Sequence, residues 1–192
     1  MSVFNVYLTG VGGQGIGLLS GALGEAIVDA GLKLRGCETH GLAQRGGVVV
    51  SHLRIGEGGF APRVPPGQAD LVVSLERLEA LRGTVNMLRP GGRVVYYDAE
   101  YQPIAVRMGE AVYPRLSDIE DEVTRKGGTL ERVFYEDLAD PRMQNVALLG
   151  RVAALGAIDQ ITPERLEKAI AASVPAKLLE RNLEVFRRAV GA

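Results

Sequence analysis

The run Gly10-Val11-Gly12-Gly13-Gln14-Gly15 directly follows an apolar stretch, residues 3–8, and opens a segment whose apolar residues recur at helical spacing. A strand that ends in such a turn and restarts as a helix leaves unpaired backbone N–H groups at the positive end of the helix dipole, facing whatever anion occupies the turn. Its glycines let a ligand or a neighbouring segment come close to bare backbone. The pattern describes a binding fold without naming the ligand. Turns of this kind hold dinucleotides, hold other phosphates, or simply pack a helix tightly on a strand.

A chain of 192 residues, 46% of them hydrophobic, buries one sizeable core, so residues 1–192 read as a single domain with a helical appendage. The net charge of −1 and the lack of a basic block argue against nucleic acid and acidic membrane surfaces as partners. No apolar run reaches the roughly 20 residues that span a bilayer, and the first residues enter a strand without a charged leader, so a cytoplasmic protein is expected. Cys37 is the only cysteine, which excludes an internal disulfide and a four-cysteine iron–sulfur cluster built by this chain alone. His40 and His52 are the only histidines and lack the i, i+4 spacing of a helical zinc pair, so no metal site is expected.

Beyond the turn, Ile16, Leu19, Leu23, Ile27 and Ala30 form a helical stripe that Gly31 would end. Gly17, Gly21 and Gly24 form a second stripe, and the sheet is expected to pack closely there. Strands are predicted at 32–37, 48–55, 69–75 and 93–97, with a helix over 76–88 carrying Leu78, Leu81, Val85 and Leu88. The later chain suggests short strands at 104–108 and 111–116, a helix over 118–126 capped by Ser117, a strand at 129–135 and a core helix over 145–155. Thr162-Pro163 is a helix start, and Pro175 separates that helix from a last one carrying Leu179, Leu183, Phe186 and Val190. The expected fold is therefore α/β and Rossmann-like: a mostly parallel sheet, helices on both faces and a C-terminal helical pair.

A second informative segment is Glu38-Thr39-His40-Gly41-Leu42-Ala43-Gln44-Arg45-Gly46-Gly47. It follows the second strand, so it should emerge beside the glycine turn at the carboxyl edge of the sheet, where open α/β folds bind ligands. Arg45 offers a planar fork for a carboxylate or phosphate, or else a local tie for the loop. Gln44 and His40 offer orientable hydrogen bonds, and Gly46 permits close approach. Glu38, 23 residues beyond Gly15, also sits near the offset of about 20 at which an acid holds the ribose of a dinucleotide. His52 and Cys37 read as structural, Cys37 as a small buried hydrophobe. Asp98 and Glu100 at a strand end would either line a cleft or sit in a solvated turn.

Together the two motifs, Gly10–Gly15 after the first strand and Arg45-Gly46-Gly47 after the second, resemble the gamma-type subunit of the 2-oxoacid:ferredoxin oxidoreductases. The run from Glu38 to Gly47, with Ser51-His52-x-Arg54-Ile55-Gly56, is most similar to the small subunit of the indolepyruvate type, and the similarity extends over nearly the whole chain. The resemblance implies an assembly that oxidatively decarboxylates a 2-oxoacid to an acyl-coenzyme A. It also implies thiamine diphosphate, magnesium and 4Fe-4S clusters on a large partner subunit, with ferredoxin as electron acceptor. This chain has no Gly-Asp-Gly diphosphate motif and too few cysteines for a cluster, so a non-catalytic role follows. The implied contacts to coenzyme A or the partner fall on Gly10, Gly12, Gly13, Gln14, Gly15, His40, Gln44, Arg45 and Gly46, with no catalytic acid, base or nucleophile. In isolation such a chain would be inactive and free to form a homodimer. Two alternatives stay open: a self-sufficient NAD(P)-binding oxidoreductase using Glu38, and a small-ligand binding module.

Overall fold

The computed structural model describes residues 3–39, 47–58, 61–101, 104–110 and 112–192, with the side chains of 104 and 105 left aside. In chain order the elements are β1 (Phe4–Val11), α1 (Ile16–Asp29), β2 (Leu34–Thr39), β3 (Val48–Ile55), β4 (Ala69–Ser74), α2 (Arg77–Met87) and β5 (Leu88–Tyr97). There follow α3 (Ile104–Arg107), α4 (Leu116–Arg125), β6 (Thr129–Val133), a 3-10 turn (Pro141–Met143), α5 (Gln144–Ala154), α6 (Pro163–Ser173) and α7 (Ala176–Val190).

The six strands form one sheet in the order β2-β3-β1-β4-β5-β6. From β1 through β4 and β5 to β6 every pairing is parallel, as the alternation of strands and helices predicts. The exception is β3, which runs antiparallel to both β1 and β2. β2 and β3 thus pair as a β-hairpin, because the eight residues between Thr39 and Val48 are fewer than the dozen or more that a crossover between parallel strands needs.

Side-chain alternation assigns the layers. Leu71 and Val73 of β4 and Val95 and Tyr97 of β5 face one core with α1, α5, α6 and α7. Val72, Val94 and Tyr96 face the other with α2 and α4. Strands buried on both faces must be apolar at every position, which is why β4 reads as a continuous hydrophobic run. The C-terminal pair packs over α1 and α5 rather than on the sheet itself. Thr162 accepts from the Arg165 N–H and caps α6, with Pro163 at the first helical position. Gly150 lets α7 approach α5 so closely that a Cβ there would stand 2.6 Å from the Phe186 carbonyl oxygen.

Several sequence expectations are corrected. Residues 104–107 form a helical turn instead of a strand, and 112–115 run without regular structure, since a short apolar run does not by itself distinguish strand from helix. The cap of α4 is Arg115: its N–H donates to Asp118 Oδ2 at 2.8 Å while its guanidinium bonds Oδ1, leaving Ser117 inside the first turn. β5 begins at Leu88 and accommodates Pro90-Gly91-Gly92 through a register shift against β4. Val85 is exposed, and Cys37 is half-buried rather than buried. The glycine stripe on α1 is open at Gly17 and Gly21, with no atom within 4 Å of a built Cβ, and only Gly24 meets a neighbour, Leu34 at 3.3 Å.

Two substitutions test this packing. Gly21→Ala should raise stability by up to about 1 kcal/mol by restoring helix propensity where there is room. Gly150→Ala should lower it by about 1–3 kcal/mol, because backbone has to move. Urea denaturation of the two variants should show opposite shifts in midpoint.

Candidate functional site

β1 and β4 lie side by side, yet after β1 the chain turns to one side of the sheet and after β4 to the other. The crevice at their carboxyl ends is therefore a switch point, where α/β sheets take ligands. The glycine turn sits on it. Gly13 and Gly15 have φ of 104° and 88°, values that favour glycine. Gly15 also has to be bare because a Cβ would meet the Asn145 amide nitrogen of α5 at 2.5 Å.

Gln14 is 1% exposed, and its side chain faces inward. Its Oε1 accepts the Val11 N–H at 2.8 Å and its Nε2 donates to the Leu75 carbonyl at 2.6 Å, so it fastens the end of β1 to the end of β4. What the turn presents outward is backbone. No side chain caps α1, its first turn carries no acid, and Gly13 and Gly17 are exposed. The positive end of the helix dipole is left for an acceptor from elsewhere.

The end of β2 and the start of β3 lie beside this turn. Val11 pairs with Val48, Thr39 with Val50, and the Gly12 N–H donates to the Gly47 carbonyl at 2.8 Å. The structure thus brings both ends of the second motif to the turn. His40, Gln44, Arg45 and Gly46 themselves lie outside the described residues. Glu38, the ribose ligand of the dinucleotide alternative, accepts a hydrogen bond from Ser20 on α1.

Further along the same edge lie Glu76, which motif reading missed, and Asp98 and Glu100, which the sequence placed either in a cleft or in a solvated turn and which border a cavity. Glu76, at the start of α2, is fully buried and accepts from the Glu79 N–H at 2.9 Å and from the Tyr113 hydroxyl. Burial is the main cause holding its carboxyl above the usual carboxylate range. Asp98, 4% exposed at the end of β5, is gripped by Arg77 Nε at 2.6 Å and by Arg132 Nη2 at 2.6 Å. Arg77 also reaches Glu100 at 3.0 Å. Beside Asp98 opens a cavity of about 500 Å³, bordered by Tyr97, Tyr101, Arg132, Phe134 and Gln144 among others. It draws on several separate segments, so no local pattern announces it.

His52 is a packing residue. It is 3% exposed, its Nδ1 accepts the Val64 N–H at 3.2 Å, and its ring meets Tyr7 edge-on at 5.2 Å. Burial holds its pKa below the usual value, keeping the ring neutral. Among the described residues no cluster of three or more His, Cys, Asp or Glu side chains is placed to hold a metal ion. None of their helices is long and apolar enough to cross a membrane.

A helix N-terminus opened by a glycine turn at the switch point of a mostly parallel sheet defines an α/β, Rossmann-like protein. The particular family is settled by its sequence profile: the chain belongs to the pyruvate ferredoxin/flavodoxin oxidoreductase family, matched over residues 5–192. It is 35% identical to indolepyruvate oxidoreductase subunit IorB of Thermococcus kodakarensis, over 100% of this chain and 96% of that one. In fold it is similar to pyruvate oxidoreductase subunit PORC of Thermotoga maritima, with a TM-score of 0.65 at 21% identity, covering 100% of this chain and 97% of that one. It is also similar to 31% of the 2-oxoglutarate:ferredoxin oxidoreductase chain of Magnetococcus marinus, solved with 2-oxoglutarate, coenzyme A and succinyl-CoA bound. That match covers 100% of this chain with a TM-score of 0.71 at 17% identity. The resemblance carried by the two glycine motifs is borne out, and with it the α/β fold.

Gln14→Leu should leave the Val11 N–H and the Leu75 carbonyl buried without partners, at about 1–3 kcal/mol for each group, measurable as a lowered urea midpoint. The buried His52 resists the proton that an unfolded chain binds near its ordinary value of 6.5. Its contribution is thus complete above that pH and is lost as pH falls toward the lower folded value. Between pH 7 and pH 5 the stability of the native chain should therefore drop more steeply than that of His52→Gln, with denaturation midpoints as the readout.

Proposed function

We propose that this chain is the small, non-catalytic subunit of an indolepyruvate-type 2-oxoacid:ferredoxin oxidoreductase. It would act with a large subunit carrying thiamine diphosphate, magnesium and 4Fe-4S clusters, and the complex would pass electrons to ferredoxin. The full-length similarity to an indolepyruvate oxidoreductase subunit supports the substrate class. On the partner, thiamine diphosphate would supply the electron sink for decarboxylation. This chain supplies no acid, base or nucleophile to that chemistry. Its part is to bind and orient.

The observation that carries the reading is the uncapped start of α1 behind the glycine turn. Backbone N–H groups from Gly13 onward, with the helix dipole behind them, suit the phosphates of coenzyme A. Gly10, Gly12 and Gly15 shape the turn, and Gln14 locks it to β4. Arg45 would reach in from the hairpin tip as a bidentate phosphate or carboxylate ligand, with His40 and Gln44 as hydrogen-bonding neighbours and Gly46 allowing close approach. The assembly is placed in the cytoplasm, where the single thiol of Cys37 stays reduced. Without its large partner, the chain would self-associate through the face that normally meets it.

Co-expression with the large subunit tests the reading. Indolepyruvate-dependent, coenzyme A-dependent dye reduction should require both chains, and this chain alone should be inactive. Activity without the small chain would refute it. In the complex, Arg45→Ala should raise the KM for coenzyme A by about tenfold, the loss of one charged hydrogen bond, while the urea midpoint of the chain is unchanged. An unaltered KM would remove Arg45 from the site. Gly13→Ala, strained at a φ of 104° but free of any clash, should act in the same direction.

A further inference from the structure

The open face of α1 is a feature that this chain's own fold does not explain. Gly17, Gly21 and Gly24 recur along one side of the helix, and a Cβ at Gly17 or Gly21 would meet no atom within 4 Å. Glycine inside a helix is less favourable than alanine, so two bare positions with room for a side chain weaken the isolated chain without serving its packing. One turn beyond Gly24, Val28 continues the stripe and is 61% exposed.

Beside that stripe the sheet is uncovered. β2 ends the sheet and α1 lies mainly over β3 and β1, so the α1 side of β2 becomes the floor of a groove of about 280 Å³. Gly21 and Gly24 line it from the helix, Gly36 and Glu38 from β2, and Ser51 and Leu53 from β3. Ser51 stands opposite Glu38 in the register, so the two side chains leave the sheet on the same face, where Glu38 bonds Ser20 of α1. Ser51 is 1% exposed, and its hydroxyl is one of two buried side-chain groups without a hydrogen-bond partner among the described residues, the other being that of Thr9. The nearby Ser20 hydroxyl is already committed to Glu38 and to the Gly17 carbonyl. Buried hydroxyls are nearly always bonded, so Ser51 Oγ marks a point where a partner group arrives from outside the chain.

Shape and charge select the occupant. A strip of sheet one strand wide, bounded by a helix, is where a layered α/β fold places a further helix. Helices pack about 8–10 Å apart according to the side chains between them, and glycine walls allow the near end of that range. The border is acidic, with exposed Glu38 in the lining and exposed Glu25 beside Gly24. A contact of this groove with its own copy would set those acids against like charges, which disfavours a second copy of the chain.

We infer that the groove receives an α-helix of the large partner subunit, with small residues against Gly21, a polar side chain bonded to Ser51 Oγ, and lysine or arginine facing Glu25 and Glu38. The inference rests on the two-chain assembly proposed above.

The test is displacement. The purified two-chain complex, its small chain fluorescently labelled, is challenged with unlabelled native chain, Gly21→Leu, Ser51→Ala and, as a control at an exposed position of α4, Glu120→Leu. Native and Glu120→Leu chains should displace the label equally. Gly21→Leu, whose side chain fills the groove, should compete about tenfold more weakly, and Ser51→Ala about three- to tenfold more weakly through the loss of one hydrogen bond. Both variants should fold, with urea midpoints in the isolated chain at or above the native one, because Gly21 has room and Ser51 has no bond to lose. Native-like displacement by both overturns the inference and leaves the subunit assignment standing. A dimer of the small chain alone that Gly21→Leu abolishes, with displacement unchanged, would give the groove to a second copy and overturn it equally. If the two chains form no complex, the assignment itself fails and this inference with it.

Discussion

The Gln14 carboxamide is buried, so both its acceptor and its donor have to be satisfied inside the protein. They are satisfied by Val11 at the end of β1 and Leu75 at the end of β4. Those two strands diverge immediately afterwards, one into α1 and the other into α2, on opposite faces of the sheet. A buried amide bridging them ties the two strand ends together where the chain leaves the sheet in opposite directions. It also sets where the glycine turn stands, and hence where the start of α1 points.

From that joint the rest of the carboxyl edge follows. Asn145 of α5 lies against Gly15, so the helical layer of α5, α6 and α7 is registered on the turn, and Gly150 lets α7 close tightly over α5. On the other side, buried Glu76 begins α2 and ties in Tyr113 from the segment ahead of α4, while Asp98 draws in Arg77 and Arg132. Buried carboxylates stay only where hydrogen bonds or opposite charges compensate them, and each of these draws at least one partner from a residue distant in sequence. The edge is therefore a polar framework over an apolar sheet. It presents backbone N–H groups at one end and a half-aromatic cavity at the other.

The glycine turn after β1 was legible because backbone demands write themselves into short runs: a positive φ or a bare approach leaves little choice but glycine. The continuous apolar run of β4, the stripe on α1 and the Thr162-Pro163 start of α6 were legible for similar local reasons. The antiparallel course of β3 was not, since a β-branched strand reads the same in either direction and only the shortness of the tip excludes a crossover. Residues 104–108 suggested a strand because a brief apolar run has no period of its own. The α1 glycines suggested tight packing, yet two of the three face open space.

By itself the sequence determined the class of the protein. A glycine turn between strand and helix, a second glycine-rich loop and a single cysteine are facts of the sequence that no folding can change. Tertiary structure alone decided that Gln14 faces inward as a clamp, that Asp98 is buried between two arginines, and that Gln144 and Phe134 border one cavity. The physical reason is distance along the chain. A turn is set by the residues within it, whereas a buried ion pair or a pocket wall depends on which segments the sheet order brings together.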